Sequence, residues 1–123
     1  MTQAFTDAQL QYRGHAEEIE DLTIELIVQE EKLDELKDLL AIEAARLQML
    51  PEVLSGKNEG ERKALFTTAC SLDEDYQRVR VAVKQAEHCV AEQKARIERA
   101  RHAKAEWSLF MRYLARVTDS DED

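Results

Sequence analysis

The 123-residue chain has 17 Lys and Arg against 26 Asp and Glu, a formal charge of −9, and only 3 Gly, 1 Pro and 6% aromatic residues. Such a composition suits long exposed helices with a narrow buried stripe, and it argues against a globule enclosing a deep substrate pocket. The charge is unevenly placed: Met1 to Gly56 holds 13 acids and 4 bases, whereas Arg78 to Arg116 holds 10 bases and 4 acids. An acidic helix followed by a basic one is what a self-complementary hairpin needs.

The first helix is expected to open at Thr6, with Gln9 as capping-box partner and Phe5 stapled to Leu10. Its core positions recur every three and four residues through Tyr12, His15, Ile19, Leu22, Leu26, Gln29, Leu33, Leu36, Leu40, Glu43, Leu47 and Leu50, which is a coiled-coil seam. Outside that seam lies a second apolar stripe of Ile24, Ile27, Val28, Leu39, Ile42 and Met49. A two-helix hairpin leaves this stripe uncovered, so it is the expected dimer interface of a four-helix bundle.

Pro51 removes an amide donor and disfavours helical geometry at Leu50, ending the first helix there. Ser55-Gly56 reads as a turn, and Asn58 with Glu61 as the cap of a short helix carrying Ala64, Leu65, Phe66 and Ala69. A second cap pair, Ser71 with Glu74, offers a fresh start before the basic helix; the alternative is a helix running straight on from Glu59. That helix repeats the seam at Tyr76, Val79, Val83, Ala86, Val90, Gln93, Ile97, Ala100, Lys104, Trp107, Met111 and Leu114.

The predicted fold is therefore all-α: an antiparallel two-helix coiled-coil hairpin with a short helix at its tip. A single domain spans residues 1–117, with long helices at about 7–50 and 72–117 and the tip at 51–71; residues 118–123 form an acidic disordered tail. The register that sets Leu22 opposite Ala100, Leu36 opposite Ala86 and Gln29 opposite Gln93 also pairs Lys37 with Glu87, Glu30 with Lys94, Glu25 with Arg96 and Arg46 with Asp75. It brings Tyr12 and His15 to Trp107 and Met111.

No catalytic, cofactor or metal set is expected. Gly56-Lys57-Asn58 lacks the spacing of a phosphate loop. His88 and His102 sit on the outer face of one helix and His15 on the seam of the other, while Glu98 and His102 read as a surface pair. Cys70 and Cys89, without a leader or membrane-span pattern, fit a reduced cytoplasmic setting. Cys89 reads as a small flank residue beside the seam.

Three surfaces remain as binding candidates. Leu109, Phe110 and Tyr113 lie off the seam in the densest aromatic stretch and suit protein docking. Arg78, Lys84 and Arg99 point outward as phosphate contacts, although a net acidic chain does not favour nucleic acid. Glu17, Glu18, Glu20 and Asp21 are the candidate face of an acidic DNA mimic.

The stretch Ser55-Gly56-Lys57-Asn58-Glu59-Gly60-Glu61-Arg62-Lys63-Ala64 resembles the G-K-N-x-x-x-R-K-A turn of small helical proteins of bacteriophages. The resemblance implies an accessory protein in a bacterial cytoplasm, working with phage recombination, replication or counter-defence factors, and it supplies no catalytic residues. Gly60 departs from the pattern, where a helix former is expected, and so weighs against a continuous helix from the turn onward. The functional expectation is a noncatalytic coiled-coil interaction module, a homodimer with a protein partner and no membrane attachment. The alternatives are the acidic mimic and a nucleic-acid-binding recombination or replication accessory using the basic helix.

Overall fold

The computed structural model describes the backbone of residues 2–122 and the side chains of residues 3–117. The fold is an all-α helical hairpin in which the long helices α1 (Thr2–Gln48) and α4 (Glu74–Glu122) pack together. Between them come α2 (Pro51–Leu54) and α3 (Glu59–Leu72). The chain packs as two units, Met1–Val28 with Ala91–Asp123, and Gln29–Val90.

In the first unit the seam repeat has produced the core that its spacing requires. Ile97, Ala100 and Leu114 are buried, and Tyr12, His15, Ile19, Leu22, Leu26, Trp107 and Met111 are half-buried. Ala8, four residues before Tyr12, extends the seam and is only 1% exposed. Gln93, 2% exposed, is the buried polar member; its amide donates to the Leu22 carbonyl at 3.0 Å and to Glu25 Oε2 at 3.1 Å. Lys104, a seam lysine, lies 5.3 Å from the Tyr12 ring centroid, a cation–π contact that accommodates its charge in the stripe.

The second unit buries Leu33, Leu47, Val53, Cys70, Val83 and Val90. Leu50 is extended, with ψ 138°, directly before Pro51 at the start of α2, as steric exclusion of helical geometry before proline demands. Gly56 is buried and tightly enclosed: a Cβ there would stand 2.6 Å from Arg62 Cγ and 2.9 Å from the Arg62 backbone nitrogen. Asn58 caps α3 by accepting from the Glu61 N–H at 2.8 Å.

Several sequence expectations need correction. Helix α1 starts at Thr2, so Thr6 and Gln9 lie inside it and form no capping box; no Gly or Pro between Thr2 and Thr6 stops helical propagation. Helix α3 runs unbroken through Gly60, because a glycine in the first turn costs little once Asn58 has capped it. The break before α4 falls at Asp73, where the Tyr76 N–H donates to Asp73 Oδ1 at 2.8 Å. The Ser71 hydroxyl instead donates back to the Thr68 carbonyl at 2.8 Å. Helical backbone also reaches Glu122, over most of the segment expected as a disordered tail; Asp123 lies outside the described residues.

The register differs too. Glu25 meets Gln93 in place of Arg96, Arg46 meets Asp73 in place of Asp75, and Tyr12 meets Lys104 in place of Trp107. Each α4-side partner lies two or three residues earlier than expected. Exposed ion pairs contribute only about 0.3–0.5 kcal/mol each, too little to override seam packing and the burial of Gln93.

Candidate interaction surfaces

With the seam turned inward, the second stripe of α1 is left on the outside. Ile24, Ile27 and Val28 are 55–61% exposed in the first unit, and Leu39 and Ile42 are 48% and 63% exposed in the second. Apolar side chains recurring at three and four residues form a continuous face only on a helix, and a cluster this exposed marks a surface for another helix.

On α4 the aromatic stretch is ordered as a ladder at three-residue spacing. Trp107 and Phe110 meet edge to face with centroids 5.8 Å apart, and Phe110 and Tyr113 stack at 6.5 Å with their planes 18° apart. Trp107 is half-buried in the seam, whereas Leu109, Phe110 and Tyr113 are 42–62% exposed. The ladder thus joins core to surface and holds its outer rings in place.

The charged candidates are all exposed: Glu17, Glu18, Glu20 and Asp21 on α1, and Arg78, Lys84 and Arg99 on α4. Glu18 accepts from His15 at 3.3 Å, and Arg78 lies 3.5 Å from Asp75. The ion pairs among the described residues of the first unit all lie within one helix: His15 with Glu18, Arg96 with Glu92, and Arg101 and His102 with Glu98. The expected pair of Glu25 with Arg96 is not among them, and Lys37 with Glu87 is not among the ion pairs of the described residues of the second unit. The acidic face of α1 and the basic residues of α4 therefore keep their charges largely unspent on each other.

At the helix junction, Arg46 donates through Nη2 to Glu43 Oε2 at 2.7 Å and to Asp73 Oδ1 at 2.9 Å. Glu43, a seam acid without an evident partner in the sequence, finds one a single turn away. The Tyr76 amide first, and then the Arg46 side chain, hold the Asp73 carboxyl below its ordinary range. Nearby, burial pushes the Cys70 thiol up, against the opposing pull of a hydrogen bond from the Tyr76 hydroxyl. The two cysteines are free, with Cys70 buried and Cys89 exposed at the flank of the seam, in the groove lined by Gln29 and Ala86.

Of the grooves in the second unit, two are lined by seam residues. One, of about 340 Å³, lies at the tip between Leu47, Leu50, Val53, Leu65, Ala69 and Leu72. The other, of about 410 Å³, is bounded by Gln29, Lys32 and Leu36 on α1 and by Ala82, Gln85, Ala86 and Cys89 on α4, where alanines face leucine. Gln29 Oε1 is buried there without a hydrogen-bond donor. Sequence reasoning missed Ala8, Val53 and Asp73; Ala8 carries the seam spacing, and Asp73 is an N-cap residue type three positions before Tyr76.

The class defined by this arrangement is an all-α helical hairpin with uncovered outer faces, and no helix among the described residues is long and apolar enough to cross a membrane. No protein-family model, curated protein or solved structure matches the chain.

Proposed function

We propose that this chain is a noncatalytic helical-hairpin interaction module that self-associates through Ile24, Ile27, Val28, Leu39 and Ile42 and presents Leu109, Phe110 and Tyr113 to a protein. The observation that carries this reading is the exposure of Ile24, Ile27 and Val28 on the outside of a helix whose inner stripe is already occupied. Burying such side chains stabilises an assembly by about 25 cal/mol per Å² of apolar surface removed from water. A host-cytoplasm accessory role, as in the phage proteins that the Ser55 to Ala64 turn resembles, is the setting we assign to it.

Sedimentation equilibrium over a range of concentrations tests the self-association. A dimer supports the proposal, and a monomer at every concentration refutes it. Protein capture by the chain, compared with capture by a Leu109→Ser, Phe110→Ser, Tyr113→Ser variant, tests the docking surface.

An acidic DNA mimic is the second reading. It is favoured by Glu17, Glu20 and Asp21, which are exposed and without an ion pair among the described residues. Charge reversal there should abolish capture of a DNA-binding protein if this reading holds.

A further inference from the structure

The outer face of α1 in the first unit is acidic as well as apolar. Between Arg13 and Lys32 the sequence has Glu17, Glu18, Glu20, Asp21, Glu25, Glu30 and Glu31 and no Lys or Arg. Ile24 and Val28 lie three and seven residues beyond Asp21, so Glu17, Asp21, Ile24 and Val28 share one side of the helix. Packing this face against the same face of a second copy would set like charges together in a desolvated contact, and each such juxtaposition is unfavourable. Its natural complement is a helix that is basic and apolar.

Helix α4 is such a helix. From Arg99 to Arg116 it carries Arg99, Arg101, Lys104, Arg112 and Arg116 against Glu106 alone. Arg99 lies eleven residues, three turns, before Phe110; Arg112 and Arg116 follow Leu109 and Tyr113 by three. Exposed Leu109, Phe110 and Tyr113 are thus flanked by exposed arginines, and Arg99, Arg112 and Arg116 have no ion pair among the described residues. Because the described residues of the first unit make no ion pair between α1 and α4, both sets of charges stay available to a partner.

Resting on the self-association proposed above, and putting a second copy in place of a separate protein partner at Leu109, Phe110 and Tyr113, we infer that the occupant of each face is this same chain: the acidic, apolar face of α1 around Glu17, Asp21, Ile24 and Val28 packs against the basic, aromatic face of α4 around Arg99, Leu109, Phe110 and Tyr113. A two-fold axis makes the contact twice, so a single charge pattern specifies both halves of the interface. The pairing of α1 with α1 is disfavoured by the same pattern, which makes it a device for alignment as well as affinity.

The sign of one effect separates the two pairings. The dimer dissociation constant is measured by sedimentation for the wild-type chain and for a Glu17→Gln, Glu20→Gln, Asp21→Asn variant. Pairing of α1 with α4 predicts that neutralisation weakens the dimer about tenfold, since several exposed pairs are lost from each of two contacts. Reversal on both helices, Glu17→Lys, Glu20→Lys and Asp21→Lys together with Arg99→Glu, Arg112→Glu and Arg116→Glu, is expected to restore it. A wild-type dimer that tightens on neutralisation, or that the double reversal fails to restore, overturns this pairing while leaving self-association intact. A monomeric wild type refutes the self-association itself.

Discussion

The side-chain amide of Gln93, in the middle of α4, donates to the backbone carbonyl of Leu22, in the middle of α1, at 3.0 Å. That carbonyl lies within an α-helix and accepts a second hydrogen bond from outside it. The Glu25 carboxylate, at 3.1 Å, takes the same amide group, so Gln93 is held from two points one turn apart on α1. A buried polar residue tied in this way fixes the sliding position of one helix on the other.

Gln93→Ala should therefore cost roughly 1–3 kcal/mol, through the lost hydrogen bonds and the space left at a 2% exposed site. Gln93→Leu should recover most of that stability but admit neighbouring registers, because no polar group then penalises a slip. Urea midpoints would measure the first effect. Loss of amide dispersion in a two-dimensional NMR spectrum at unchanged helicity would measure the second.

Asp73 accepts from the Tyr76 amide at the start of α4 and from Arg46 at the end of α1. Its folded-state pKa is depressed, so the stability it contributes is fully present above the unfolded carboxylate value of about 3.9 and is lost as pH falls through the folded value. Asp73→Asn keeps a capping oxygen but loses the charge. The melting temperature of this variant should lie below that of the wild type at neutral pH and converge with it in acid; Asp73→Ala, which also loses the cap, should melt lower still.

Leu47, only 1% exposed, anchors the junction of α1 with the tip. Leu47→Ala should cost roughly 2–5 kcal/mol in chemical denaturation, and a value well under that range would mean the tip closes over the gap.

The two thiols should report separately. Cys89 is exposed, whereas Cys70 is buried with its thiolate disfavoured. A chromogenic disulfide reagent should therefore label Cys89 promptly and Cys70 only as the second unit opens. Equal rates for the two would contradict the packing around Cys70.

Both seams were legible in the sequence because burial on a helix has a strict period, and every seam position from Tyr12 to Leu50 and from Tyr76 to Leu114 is buried or half-buried. Asn58 was legible for a similar reason: its capping role is local. The exact register was not, because it depends on which residues bury best across two helices, while charge matching at the surface carries little energy. The cap at Asp73 escaped because Ser71 with Glu74 has the same local pattern, and only the packing of Tyr76 and Arg46 distinguishes them. The outer stripe of α1 could be read as apolar from the sequence, and its exposure follows only once the seam has turned inward.

The most direct test of self-association is the sedimentation mass of the wild-type chain beside that of an Ile24→Ser, Ile27→Ser, Val28→Ser variant, with helicity checked by circular dichroism. The account predicts a wild-type dimer and a helical, monomeric variant. A variant that stays dimeric, or a wild type that is monomeric at every concentration, would contradict it.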